Sequence, residues 1–230
     1  MRVRSIHHSG FLLETEAGSY IFDYYRGEVP PLDPLKPVTV LVSHGHKDHY
    51  NPDIFAILRA QGVRDVFAVL AKDIPKSRYP ADTETLTAHA NSVYTLPHGE
   101  RLETLRSTDQ GVAFLLTTAE GDVYHAGDLN DWTWEGEPEA DNKAMRGNYR
   151  HEIDKLHGRR LQVAFVPLDP RQEAHYADGL LYFLSQVEAE RVYPMHTWGD
   201  PSVIRRFVTE YPEYRGIIQY ETNTEKEKQP

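Results

Sequence analysis

Apolar residues along this chain come in short runs and alternations, a pattern that predicts many short strands interleaved with a few helices. Val3 to His7, Phe11 to Thr15 and Tyr20 to Tyr24 are separated by Gly10 and Gly18, so the chain is expected to open with a β-meander. Val38 to Ser43 is apolar without alternation, as in a strand buried on both faces. Asn51 is placed to cap a helix with Pro52 at its first position and Ile54, Phe55, Ile57 and Leu58 along its apolar side. Further strands are predicted at Asp65 to Leu70, Ser92 to Leu96, Leu102 to Leu105, Val112 to Thr117 and Val123 to Ala126.

Two polar stretches interrupt the pattern. Lys72 to Ala90 reads as loop and short helix, and Glu137 to Gly158 as a long, charged surface loop with some helix, placed to act as a lid. The last third alternates strand (Val163 to Leu168), helix (Gly179 to Glu190), strand (Val192 to Met195), helix (Ser202 to Tyr211) and strand (Ile217 to Tyr220), and the polar tail from Thr222 to Pro230 is expected to fray. No repeat or low-complexity linker divides the sequence, so residues 1–230 are expected to form a single domain. Strand-rich stretches with interleaved helices imply an α+β arrangement, two sheets packed together with helices outside.

The chemistry concentrates at the end of the apolar run. His44-Gly45-His46-Lys47-Asp48-His49 puts four metal-binding side chains within six residues, delivered by a strand to a fixed point. Imidazole nitrogens and carboxylate oxygens suit a hard or borderline divalent cation and need no thiolate, so a hydrolytic metal centre is the leading reading. A histidine-rich surface loop is the plain alternative; two later segments that repeat the strand-then-ligand pattern argue against it. Asp128 closes Val123-Tyr124-His125-Ala126-Gly127-Asp128, where Gly127 permits a sharp turn, and His196 follows Val192-Tyr193-Pro194-Met195.

Composition narrows the partners. A formal net charge of -10 disfavours polyanions, because nucleic-acid affinity depends on Lys and Arg neutralising phosphates. With no cysteine the chain has neither disulfides nor thiolate ligands and suits a reducing compartment. No run approaches a membrane span and the start lacks the apolar core of a signal peptide, so a cytoplasmic protein with no membrane partner is expected.

The chain resembles the metallo-β-lactamase superfamily, specifically its small-molecule hydrolase and lactonase-like members. The resemblance rests on His44-x-His46-x-Asp48-His49, Ala126-Gly127-Asp128, Met195-His196, and Asp23 at the end of Ile21-Phe22-Asp23. His8-Ser9-Gly10-Phe11 and Gly127-Asp128-Leu129-Asn130 are most similar to the branch of ascorbate-phosphate lactonase relatives. One position departs: the superfamily usually has a further ligand histidine between the cluster and the Gly-Asp motif, and Ser107-Thr108-Asp109-Gln110-Gly111-Val112 has none. Asp109 is the expected substitute, which would harden that site toward manganese, iron or magnesium relative to zinc.

The resemblance implies a four-layer αβ/βα sandwich holding two divalent metal ions, zinc foremost with manganese or iron as alternatives. One ion would be held by His44 and His46 with Asp109 added, the second by Asp48, His49 and His196, with Asp128 bridging. A hydroxide shared by two cations exists at neutral pH because metal binding lowers the pKa of water from about 15.7 toward about 7. The implied activity is hydrolysis of an ester, lactone or phosphoester in a small anionic molecule, with Asp48 and Asp128 as catalytic residues. A phosphodiesterase or nuclease of the same superfamily and a non-catalytic metal sensor are the alternatives. Asp23 is expected to orient a ligand histidine, His8 to face either site or solvent, and His125 to be a satisfied structural histidine. Arg171, after Asp169-Pro170, is placed to hold a carboxylate or phosphate, against the plain reading of a surface salt bridge. Trp132, Trp134 and Tyr50 are read as a substrate wall or as core. A small molecule is the expected partner, and assembly into a homo-oligomer stays open.

Overall fold

The structure, a computed structural model, describes residues 1–220, so the tail expected to fray lies outside the described residues. Strands β1 (Arg2–His7), β2 (Gly10–Glu14) and β3 (Ser19–Phe22) form the expected antiparallel meander. Strands β4 (Val38–Val42), β5 (Val66–Ala71) and β6 (Glu84–Ala88) continue it in parallel, giving a first sheet ordered β1-β2-β3-β4-β5-β6. Every residue of β4 is buried, as its unbroken apolar run requires. A parallel crossover needs a long connection, and α1 (Asp53–Ala60) supplies it between β4 and β5. The helix starts one residue later than the sequence predicts, with Asn51 Oδ1 accepting from the Asp53 N–H at 2.9 Å.

The second sheet takes β7 (Val93–Thr95), β8 (Arg101–Arg106), β9 (Val112–Thr118) and β10 (Gly121–His125) as an antiparallel set. After α2 (Glu139–Ile153) and the short β11 (Arg160–Leu161), β12 (Val163–Pro167) pairs with β10 in parallel. Helix α3 (Asp178–Gln186), the short β13 (Glu188–Ala189), β14 (Val192–Met195) and α4 (Ser202–Glu210) complete the chain, and the sheet order is β14-β12-β10-β9-β8-β7. The strands β11 and β13 pair only with each other.

Adjacent residues on a strand face opposite ways, and β10 shows what each face meets. His125 points inward, stacked on Phe22 of the first sheet with ring centroids 5.0 Å apart, beside the Phe11–Phe165 pair at 4.3 Å. Tyr124 points outward and stacks on Phe183 of α3 at 5.1 Å. The two sheets therefore face each other across an aromatic core, with α3 outside and α2 tied to it through the Tyr149 hydroxyl, which donates to the Gly179 carbonyl at 2.7 Å. This is an α+β sandwich. No helix among the described residues is long and apolar enough to cross a membrane.

Four expectations are corrected. The segment read as loop and short helix contains β6, an edge strand whose residues Thr85, Leu86 and Thr87 are only partly buried, so its alternation is too weak to show. The segment read as a surface loop with some helix is mostly helix, the 15-residue α2, which buries Asn142, Tyr149, Glu152 and Ile153. Two of those four are polar, which erases the apolar period; Asn142 bonds the backbone of Trp134 twice and Glu152 accepts from the Arg106 N–H at 3.0 Å. The final strand is reduced to a single bridge between Val192 and Ile218, and α3 ends at Gln186 because the chain then enters β13.

The sheets are also joined at one edge, where the Val112 N–H donates to the Ser43 carbonyl at 2.9 Å. Gly111 makes this possible: its φ is +71°, and a Cβ there would lie 1.9 Å from Ser43 O. Gly111→Ala is expected to lower the unfolding free energy by about 3 kcal/mol or more. Gly136→Ala, at φ +86° with nothing within 4 Å, should cost only about 1 kcal/mol of backbone strain. Urea denaturation of both variants checks this, and equal losses would show that the edge junction is not tight.

Candidate metal centre

Parallel strands present their C-terminal ends to a common edge, the usual place for a site in such sheets. Here β3 is followed by Asp23, β4 by Ser43 and the His44–His49 cluster, β10 by Asp128, β12 by Asp169 and β14 by His196. The turn between β1 and β2 adds His8. His8, Asp23 and His196 all have left-handed backbone, at φ 56°, 42° and 62°, which places their side chains in directions a regular strand end would not allow.

His44 Nε2 lies 3.3 Å from Asp128 Oδ2, while His49 Nε2 and His196 Nε2 lie 3.2 and 3.5 Å from Asp128 Oδ1. Among the described residues, three sets of ligand atoms lie within 4.8 Å of one another. Asp23 with His44 and His49 is already closed by the His49 Nδ1 bond to Asp23, which leaves two donor groups, His44 with His46 and Asp128, and His8 with Asp48, His49 and His196. His8 Nε2 stands 3.5 Å from Asp48 Oδ2, so it faces the site. Asp109 belongs to neither group: its side chain is 47% exposed and 4.0 Å from His46 Nδ1, on the solvent side.

The far side of each imidazole fixes its tautomer. Ser43 Oγ donates to Asp23 Oδ2 at 2.6 Å, so at 3.0 Å from His44 Nδ1 it can only accept, and the His44 proton sits on Nδ1. His49 Nδ1 donates to Asp23 Oδ2 at 2.7 Å, and His196 Nδ1 to Asp169 Oδ2 at 2.9 Å. With a cation in place of any Nε2 proton, each ring is neutral and turns its Nε2 lone pair toward the centre. Buried His8 Nε2, His44 Nε2, His49 Nε2 and Asp128 Oδ1 have no hydrogen-bond partner. Lone pairs facing a carboxylate across about 3 Å repel one another unless a cation lies between them, so the donor set fits divalent metal.

Protonation points the same way. Burial opposes charge on His49, but the Asp128 and Asp23 carboxylates outweigh it and raise its pKa to about 9. Burial and the neighbouring His49 push His44 down to about 4. The centre draws in positive charge that one proton cannot distribute over all its donors.

His125 holds two of the ligand turns and is itself satisfied. Its Nδ1 accepts from the Gly127 N–H at 3.1 Å and its Nε2 donates to the Ser9 carbonyl at 2.9 Å, so one ring ties the Asp128 turn to the His8 turn. The cluster loop is clamped by residues that sequence reasoning missed. Asp73 accepts from the Gly45 N–H at 2.7 Å, and Arg78 donates to the carbonyls of Gly45 and Tyr50 at 2.5 and 2.7 Å. Tyr50 is buried and returns its hydroxyl to the Arg78 carbonyl at 2.6 Å. Asp169 was missed too, named only as the residue that leads into Arg171. Arg171 reaches the cavity, yet its Nε and Nη2 are bonded to Asp169.

An α+β sandwich with a histidine and aspartate centre at its strand ends defines a class, and the comparisons agree with it. The family model of the β-lactamase superfamily domain matches residues 2–141, more than half of the 230 residues, and the chain belongs to that superfamily. The match includes His8, Asp23, the cluster, Asp109 and Asp128 and stops before Asp169, Arg171 and His196. The UPF0173 metal-dependent hydrolase of Pyrobaculum islandicum is 30% identical over 142 residues, which span 56% of this chain and 61% of that protein. Less than two thirds of the relative's length is therefore shared. Among solved structures, Igni18, a metallo hydrolase from the archaeon Ignicoccus hospitalis, superimposes with a TM-score of 0.61 at 18% identity, covering 95% of this chain and 94% of that one. CmlA, a diiron β-hydroxylase from Streptomyces venezuelae, reaches 0.62 at 11% identity, covering 95% of this chain and 52% of that one. These two likenesses are of fold.

Asp169→Asn should weaken metal binding about 10- to 100-fold, by analogy with other carboxylates that orient ligand histidines. Competition against a chromophoric chelator measures this. Unchanged affinity with a lowered melting temperature would make Asp169 a purely structural residue.

Proposed function

We propose that the chain is a metal-dependent hydrolase acting on an ester, lactone or phosphoester of a small anionic substrate. The observation that carries the reading is the convergence of the His44, His49 and His196 Nε2 atoms on the oxygens of Asp128, with His44 Nε2, His49 Nε2 and Asp128 Oδ1 buried and without a hydrogen-bond partner. Two ions would be held by the two donor groups, with Asp128 shared, since its Oδ2 faces one group and its Oδ1 the other. Asp109 would join the first ion only by moving in from the solvent side. Divalent cations bound here supply Lewis acidity, which brings the pKa of water toward neutrality and polarises a carbonyl or phosphoryl oxygen.

The chain's own residues do the rest. Asp48 lines the floor of a cavity of about 380 Å³ and stands where it can take a proton. The His8 imidazole, with Nε2 3.5 Å from Asp48 Oδ2, holds the Asp48 carboxyl well below the usual carboxylate range, against the effect of burial. Asp48, Asp109 and Asp128 put three negative charges around the cavity against one from Arg171, so an anionic substrate is repelled until cations reverse the balance. That dependence favours a two-ion centre. The same acidic rim, with the net charge of -10, favours a small substrate over nucleic acid or an anionic membrane. Zinc is the foremost ion, with manganese or iron as alternatives, and a lactonase-like activity in the cytoplasm is the finer reading.

Plasma mass spectrometry on protein purified without added metal or chelator is expected to find about two equivalents of zinc, manganese or iron per chain. Asp128→Asn should reduce this to one or less and remove turnover in a screen of lactones and phosphoesters. Unchanged metal content and turnover in that variant would sink the two-ion reading.

A further inference from the structure

The chain has three tryptophans, and all three line the cavity above the candidate metal centre. They reach it from separate places, Trp132 and Trp134 after β10 and Trp198 after β14. Core packing accounts for Trp132, which is 9% exposed, but not for Trp198, which is 48% exposed. Trp198 also has left-handed backbone, at φ 52°. An indole held half in water on a strained backbone is unfavourable for folding on both counts. It is nonetheless held firmly, with Nε1 donating to Asp169 Oδ2 at 3.1 Å.

The planar groups close a ring around the cavity. Trp132 and Trp134 are parallel within 6° at 6.0 Å, and the Arg171 guanidinium follows, 5.8 Å from Trp134 and 4.1 Å from Trp198. Trp198 meets His196 at 5.4 Å, and His196 meets Trp132 at 5.4 Å. Asp169 fixes the guanidinium through Nε and Nη2, while Nη1 donates to nothing among the described residues and remains available to a ligand. These planar groups line a cavity of about 380 Å³, room for one aromatic ring and a small head group.

We propose that the substrate carries a planar aromatic ring next to its hydrolysable group, the ring lying on the faces of Trp134 and Trp198 and the head group directed at Asp128. This rests on the hydrolase reading and adds the substrate class to it. Aromatic faces favour a flat ring in stacked or edge contact, and an aliphatic chain of equal charge would gain less from them.

Phenylphosphonate and methylphosphonate test this on the metal-loaded protein. They share one anionic head group and neither is hydrolysed, so leaving-group reactivity does not enter. Because every tryptophan lines the cavity, intrinsic fluorescence reports occupancy directly, and titration calorimetry gives the affinities. Phenylphosphonate is expected to bind about tenfold more tightly or better, from burial and stacking of the ring. W134A and W198A should each cut that ratio about threefold or more. Equal affinity for both ligands would overturn the aromatic substrate and leave the hydrolase reading standing. A phenyl preference that persists in both variants would also overturn it. Binding of neither ligand to protein carrying two metal ions would overturn the anionic-substrate reading and the aromatic substrate together.

Discussion

The site depends on one buried anion. Asp23 is fully buried and no Lys or Arg pairs with it among the described residues, a placement that is costly unless hydrogen bonds and nearby positive charge compensate. The Ser43 N–H and Oγ and the His49 Nδ1 donate to it at 2.6 to 2.7 Å, and His125 stands 3.9 Å away. Burial pushes its carboxyl up, but the His125 and His49 imidazoles outweigh that and hold it at about 2. From this carboxylate the orientation of the centre follows: Ser43 is turned to accept from His44, His49 is turned Nε2-inward, and β3 is fastened to the end of β4. Asp169 repeats the device on the second sheet for His196, with Arg171 and Trp198 as its other donors.

The legible part of the site is the part whose signal is local. Four donors within six residues after an apolar run need no tertiary information, and Asp128 and His196 could be read because each closes a recognisable strand. Asp169 could not, because its contact with His196 exists only through the parallel pairing of β12 and β14. His8 was ambiguous for a different reason. A residue in a tight turn faces the core or the solvent according to its φ, and the left-handed value here is set by packing, with the neighbouring Ser9 carbonyl bonded to His125. The same division holds for the fold: the buried strands were evident, whereas β6 and α2 escaped because one is a partly exposed edge and the other buries polar side chains.

Fold alone does not choose the reaction, since the sandwich superimposes about equally well on a metallo hydrolase and on a diiron β-hydroxylase. The two groups at Asp128 are unequal: one adds His8, Asp48, His49 and His196, the other only His44 and His46, with Asp109 exposed beyond it. With fewer donors of its own, the first group is the more open of the two. Open coordination at a cavity floor is where a ligand oxygen can enter, which a closed structural site would not allow.

The strain in the site has a direction. His8, Asp23, His196 and Trp198 all have positive φ, and none is a glycine. Each such residue costs about 1–3 kcal/mol relative to relaxed backbone, so four of them persist only because the surrounding sandwich determines their positions. The aromatic contacts between the sheets, Phe22 on His125 and Phe11 on Phe165, lie directly beneath these turns. A rigid core under strained turns keeps lone pairs aimed at a common point before any cation arrives, so binding need not reorganise the chain. The exposed Trp198 belongs to the same arrangement. Its indole is bonded to Asp169, the carboxylate that also orients His196, so the cavity rim and the donors at its floor are positioned by one group.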